Sequence, residues 1–326
     1  MVQITLVEAI NRALASEMER DGEVVVMGQD VGRDGGVFRA TVGLVDRFGS
    51  ERVMDTPLAE AMIAGMAIGM AVEGLKPVAE IQFSGFAYTT IDQILNHAGR
   101  IRYRTRGRMS CPMVLRSPCG AGIHAPEHHS ESPEAMFAHI PGIRVVYPSS
   151  PRRAYGLLLA AIRDPDPVIF LEPTRLYRLF KEDVEEDGAA LPLDTCFTLR
   201  EGTDLTLVTW GGMVYETLAA ADLLAELGYA AEVIDVATLK PYDLETILAS
   251  VARTGRCVVV SEAPRTAGFA SEIAAAVAEH GLLTLMAPVQ RVTGYDTVVP
   301  LARLEKHYIP SANRIVAAAR AAIEFS

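Results

Sequence analysis

The feature that most constrains this chain is an alternation: short apolar runs separated by helical patterns recur along most of its length. In the first half, strands are expected at 24–27, 77–81, 113–115, 143–147 and 168–171, with helices at 7–20, 59–72, 90–103 and 154–162 between them. Strands separated by helices imply a parallel sheet covered on both faces, an α/β architecture. From 172 to 204 the alternation breaks at Pro173, the acidic run Glu182-Asp183-Val184-Glu185-Glu186-Asp187 and Pro192, which reads as a solvated surface linker. It then restarts, with strands at 205–210, 231–234 and 257–260 and helices at 215–227, 244–252 and 271–279. The expected organisation is two parallel-sheet domains, 1–180 and a smaller 201–326, joined by a linker at 181–200.

Composition excludes several function classes. Half the 326 residues are hydrophobic and 22% are charged, enough apolar surface for a large core. A net charge of −11 argues against nucleic acid or an anionic membrane as the main partner. The most apolar stretch, 61–72, ends at Glu73, well short of the ~20 residues a membrane span needs. The start has no basic region leading into an apolar one, so no signal peptide is expected. Cys111, Cys119, Cys196 and Cys257 form no CxxC pair and read as reduced thiols of a cytoplasmic protein.

Two segments carry candidate chemistry. In Asp55-Thr56-Pro57-Leu58-Ala59-Glu60, Thr56 can cap a helix and Pro57 suits its first position. That helix is apolar on every face, so burial on every face is expected. Glu60 has no basic residue at 63 or 64 to pair with; it either holds a proton or a ligand, or sits at an exposed mouth favouring the helix dipole. The second segment, Gly120 to Pro133, is rich in glycine and histidine and lies between a strand and a helix, where sites of parallel sheets gather. Its histidines and glutamates do not follow a zinc spacing such as HExxH; proton transfer or hydrogen bonding to an anionic substrate suits them better, and a solvated loop is the bland alternative. Trp210-Gly211-Gly212 lacks the full GxGxxG and reads as a tight turn. Arg100, Arg102, Arg104, Arg106 and Arg108 read as a carboxylate anchor or an interface rather than an RNA patch.

Together these segments resemble the beta subunit of the thiamine-diphosphate-dependent decarboxylating component of 2-oxoacid dehydrogenase complexes. The resemblance is carried by Gly28-Gln29-Asp30-Val31-Gly32, Asp55 to Glu60, Ile81-Gln82-Phe83-Ser84-Gly85-Phe86, His129-Ser130-Glu131-Ser132-Pro133-Glu134, Phe170-Leu171-Glu172-Pro173, Leu239-Lys240-Pro241-Tyr242-Asp243 and Arg291 to Thr297. It spans nearly the whole chain in order. It implies a transketolase-like pyrimidine-binding domain followed by a transketolase C-terminal domain.

The resemblance also implies roles. Glu60 would hydrogen-bond N1′ of the cofactor's aminopyrimidine, favouring the imino tautomer that removes the thiazolium C2 proton. Phe86 would stack on the pyrimidine, Leu58 and Gln82 would line its pocket, and His129 would transfer protons during decarboxylation and acyl transfer to lipoamide. Glu131 stands where many relatives carry glutamine. A structural potassium ion is implied at Cys111, Met113 and Val114 with Ala161, Asp164 and Asp166. No Gly-Asp-Gly segment is present, so the diphosphate and magnesium would be held by a separate alpha subunit in an α2β2 heterotetramer. The second domain would serve assembly, with Asp296 and the terminal segment Ala322 to Ser326, Phe325 included, contacting the dihydrolipoyl acyltransferase. The activity implied is oxidative decarboxylation of a 2-oxoacid. Phe86 and the stretch 123–127 favour pyruvate, while branched-chain and acetoin-cleaving types stay open. A non-catalytic scaffold and a metal hydrolase built on His124 to His129 are the readings from other classes.

Overall fold

A computed structural model describes residues 1–325. Ser326, the last residue of the expected docking segment, lies outside the described residues. The chain divides into two compact units, one of Met1–Cys119 with Met136–Leu193, the other of Gly120–Ala135 with the chain from Asp194 onward.

The first unit is built on parallel strands in the order Arg144–Val146, Val168–Pro173, Val114–Cys119, Lys76–Glu80, Val24–Gly28 and Val53–Asp55. Val24–Gly28, Val114–Cys119 and Val168–Pro173 are buried at every position, as strands covered on both faces should be. Helix Leu6–Arg20 opens with a capping box in which Glu8 accepts from the Thr5 backbone at 2.8 Å. It packs against Pro151–Arg163, which starts on a Ser150 cap with proline in its first turn, and Arg163 Nε reaches buried Glu17 at 3.1 Å.

Four expectations need correction here. The helix Glu60–Val72 starts after Ala59, so Thr56 does not cap it, and one stripe is open: Met62 and Met66 are 40% and 38% exposed. Small residues at Ala64, Ala67 and Ala71 bury the opposite side, and the methionine stripe faces away from this chain. The helix expected over 90–103 is broken into Ile91–Asn96 and Ile101–Arg104, because His97 leaves helical geometry and Gly99 abuts the Pro141 carbonyl, where a Cβ would fall 2.6 Å away. The stretch read as a solvated linker is structured. Glu172 lies wholly buried in Val168–Pro173, Glu182–Val184 pairs antiparallel with Val2–Ile4, and Phe197–Arg200 forms an edge strand.

The second unit carries a sheet in the order Gln290–Val292, Cys257–Val260, Leu205–Thr209, Ala231–Asp235 and Phe197–Arg200, parallel except for the last strand. Leu205, Leu207, Val233, Val258 and Val260 pack with Ala220, Leu224, Ile315 and Ala319 in its core. Helix Leu244–Thr254 is capped by Asp243 and closed by Gly255 at φ +67. Among the described residues no helix is long and apolar enough to cross a membrane.

Candidate functional site

Parallel sheets gather functional residues at the carboxyl ends of their strands. Three adjacent strands of the first unit, Val53–Asp55, Val24–Gly28 and Lys76–Glu80, lead into the segments carrying Leu58 and Glu60, the 29–36 loop, and Gln82 with Phe86. Asp55 organises the first two: its carboxylate accepts from Gly32 N at 2.7 Å and Arg33 N at 3.0 Å, while Thr56 N donates to Gly28 O at 2.9 Å. Gly28 is required there, since a Cβ would fall 2.7 Å from the Glu80 carbonyl. Gln82 Nε2 lies 3.4 Å from both Gln29 O and Asp30 Oδ2 and links the third segment to the loop.

Glu60 is half-buried in the first turn of its helix, and among the described residues its carboxylate has no hydrogen-bond or ion-pair partner. Thr56 Oγ1 is buried without a partner, and Leu58 is 65% exposed. An unengaged carboxylate, an orphaned hydroxyl and an open apolar side chain within five residues fit a site that binds a polar aromatic ligand. Half-buried Phe86 belongs to a chain of edge-on rings: Phe86 to Phe83 at 5.9 Å, Phe83 to Phe38 at 5.5 Å and Phe38 to Tyr177 at 5.3 Å.

That chain ends on a buried ionic cluster that the sequence reasoning missed. Arg116 is fully buried and gives Glu172 two hydrogen bonds, Nε at 2.7 Å and Nη2 at 3.0 Å, and Glu80 one at 2.9 Å from Nη1. The Tyr177 hydroxyl donates to the same Glu172. Burial raises the Glu80 carboxyl, against the pull of Arg116, and raises the Tyr177 phenol, keeping it a donor. The available signal was a charged residue inside each of two apolar strand patterns.

The histidine segment belongs to the second unit. His129 is half-buried, with its ring edge-on to His128 at a centroid distance of 4.2 Å. Burial first and His128 second push its pKa below the usual 6.5, partly opposed by Glu127. A neutral imidazole near pH 7 is able to accept or relay a proton. His124 is exposed, and its Nδ1 and backbone N both reach Glu305. Glu131 lines a groove with Tyr308 and Asp296. Among the described residues no three His, Cys, Asp or Glu side chains converge as a metal-ligand set.

The six positions expected for potassium do adjoin one another: Cys111 N donates to Pro165 O, Val168 N to Met113 O, Asp164 N to Ala161 O and Asp166 N to Asp164 Oδ1. Strand Val114–Cys119 starts only at Val114, so Cys111 and Met113 precede it. Asp164 pairs with Arg144 and Asp166 with Arg102, each at 2.8 Å. Burial pushes the Cys111 thiol up to about 12, so it stays neutral. The two residues expected at a docking surface line different grooves. Asp296 accepts from Thr266 N and Oγ1 at 2.8 and 2.7 Å, whereas Phe325, 54% exposed, lies with Leu282, Met286 and Val289.

Residues 2–179 match the transketolase pyrimidine binding domain and residues 195–315 the transketolase C-terminal domain. The chain is 47% identical over 325 residues to the pyruvate dehydrogenase E1 component subunit beta of Bacillus subtilis (strain 168), covering 100% of both chains. It is 49% identical over 317 residues to the corresponding subunit of Acholeplasma laidlawii, covering 97% of each. Among solved structures it is similar to a split gene transketolase, inactive beta4 tetramer, with a TM-score of 0.80, 25% identity and 99% of each chain covered.

Proposed function

Because the chain belongs to the family of pyruvate dehydrogenase E1 component beta subunits, we propose that it supplies the pyrimidine half of a thiamine diphosphate site in a pyruvate-decarboxylating component. The observation that carries the residue assignment is Glu60: an unengaged carboxylate at a helix start, beside the orphaned Thr56 hydroxyl. When bound, thiamine diphosphate supplies the nucleophilic carbon and the electron sink for cleaving a 2-oxoacid next to its carboxylate. Glu60 holds a proton at the pyrimidine N1′, Phe86 stacks on the ring, and Leu58 and Gln82 line it. His129 exchanges a proton with the reacting group during decarboxylation and acyl transfer to lipoamide.

An alpha subunit holds the diphosphate and magnesium, in an α2β2 heterotetramer. The exposed Met62 and Met66 stripe suits a helix with further burial to gain on assembly. The unit of Met1–Cys119 and Met136–Leu193 forms the pyrimidine-binding part, and the other unit docks the dihydrolipoyl acyltransferase through Asp296 and Phe325. The carbonyls of Cys111, Met113, Val114 and Ala161, with Asp164 and Asp166, hold a structural potassium ion. Four buried free cysteines suit a reducing, cytoplasmic setting.

The test is decarboxylation of pyruvate and 3-methyl-2-oxobutanoate with thiamine diphosphate, magnesium and an artificial electron acceptor. It is run on this chain alone and then with its alpha partner. Turnover of pyruvate only in the mixture is expected. Turnover by the chain alone would overturn the half-site assignment, and preference for the branched acid would move the chain to that substrate type.

A further inference from the structure

The backbone that carries His129 is fastened by carboxylates of the second unit. Glu305, on Ala302–Tyr308 and 1% exposed, accepts from Gly122 N at 2.6 Å and His124 N at 3.1 Å, and its carboxylate lies 2.9 Å from His124 Nδ1. Glu262, just after strand Cys257–Val260, accepts from Ala121 N at 3.1 Å. It stands so close to Gly120 that a Cβ there would fall 2.6 Å from Oε1. At the far end of the segment, fully buried Glu134 accepts from Trp210 Nε1 at 3.4 Å and Ser261 Oγ at 3.5 Å. His129 lies between these fastenings.

Burying three carboxylates is costly unless each is offset by donors. For Glu305 and Glu262 the backbone donors of one short segment provide much of that offset, in charge-assisted hydrogen bonds stronger than neutral ones, whereas Glu134 is met by the Trp210 and Ser261 side chains. An assembly platform has no need to spend buried charge on holding a loop. We propose that the second unit takes part in catalysis through Glu305, Glu262 and Glu134, positioning residues that fix the backbone on which His129 is mounted. This rests on the assignment of His129 to proton transfer.

The test uses the assembled enzyme with its alpha partner and the variants Glu305→Gln, Glu262→Gln and His124→Ala. Glutamine at 305 turns an amide NH2 toward donors it cannot accept, whereas His124→Ala removes a single bond from an exposed side chain and leaves the fold intact. Amide hydrogen exchange at 121–124 reads the fastening directly. Thiamine diphosphate affinity reads the pyrimidine site, and kcat against KM for pyruvate reads the chemistry. Faster exchange is expected in all three variants, with kcat lowered about 10- to 100-fold in Glu305→Gln, less in His124→Ala, and KM and cofactor affinity unchanged. If Glu305→Gln does not fold, the other two variants carry the same comparison. Unchanged exchange, or full kcat despite fast exchange, overturns the proposal. A His129→Gln enzyme with full turnover would instead overturn the role of His129, and the exchange rates judge the fastening separately from it.

Discussion

Glu134 offers the sharpest test of the electrostatics beneath the histidine segment. Burial lifts its carboxyl from the ordinary 4.5 to about 7; nearby Glu262 pushes the same way, and bonds from its own backbone, Trp210 and Ser261 oppose it. Its Oε2 is buried without a partner. At about 1.4 kcal/mol per pH unit, the gap corresponds to about 3 kcal/mol. The sign follows from proton counting. Between pH 4.5 and 7 the folded chain holds a proton that the unfolded chain has released, so the contribution is complete below 4.5 and lost as pH rises through about 7. Glu134→Gln keeps an acceptor for Trp210 and removes the titration. Relative to wild type, the variant should therefore gain about 3 kcal/mol of stability between pH 5 and pH 8. Urea unfolding at several pH values, followed by the fluorescence of Trp210, the only tryptophan, measures this in the unit where Glu134 sits. Wild-type fluorescence should also shift with a midpoint near 7, and the variant should not. Parallel stability curves for the two proteins would refute the reasoning.

Glu60→Gln should lower pyruvate decarboxylation by the assembled enzyme about 10²- to 10⁴-fold, with an unchanged circular dichroism spectrum; near-normal turnover would remove Glu60 from the site. Arg116→Leu leaves Glu80 and Glu172 facing each other unneutralised and should cost about 3–5 kcal/mol in urea unfolding, a loss below about 1 kcal/mol being the contrary result. Because His129 sits below the usual 6.5, the acid limb of kcat/KM should lie below 6.5. It should move lower still in Glu127→Gln and rise in His128→Gln, and a limb that ignores both changes would assign it to another group. Met62→Lys with Met66→Lys should leave the isolated chain as stable as wild type but weaken tetramer formation, measured by sedimentation.

The two parallel-sheet units were legible because their strands, buried on both faces, write continuous apolar runs into the sequence. Val24–Gly28 and Cys257–Val260 are of this kind. Glu182–Val184 was hidden because only Val184 is buried, so its two acids, Glu182 half-buried and Asp183 exposed, read as solvated charge. The cap of Glu60–Val72 was assigned to Thr56 because Thr56 and Pro57 have the chemistry of a helix start, yet the backbone stays non-helical to Ala59. Glu60 and the histidines of 120–133 stood out locally, but Gln82 and Phe86 were nameable only through the resemblance, since no local pattern distinguishes Phe86 from a core aromatic. Arg116 and Glu134 were missed as functional groups for a different reason. Their partners lie 36 to 127 residues away along the chain, and separation of that kind leaves no local trace.

The packing of Gly120–Ala135 with the second unit bears on how subunits of this type can be recombined. A chimera spliced near residue 190 looks like a clean exchange of one half for another. It would in fact mate a histidine segment from one parent with Glu262, Glu305 and Trp210 from the other. The viable junctions are three: one before Gly120, one after Ala135 and one near Asp194. The same coupling makes a change at Glu305 felt in a stretch encoded some 180 residues upstream, where it would leave backbone donors without their acceptor.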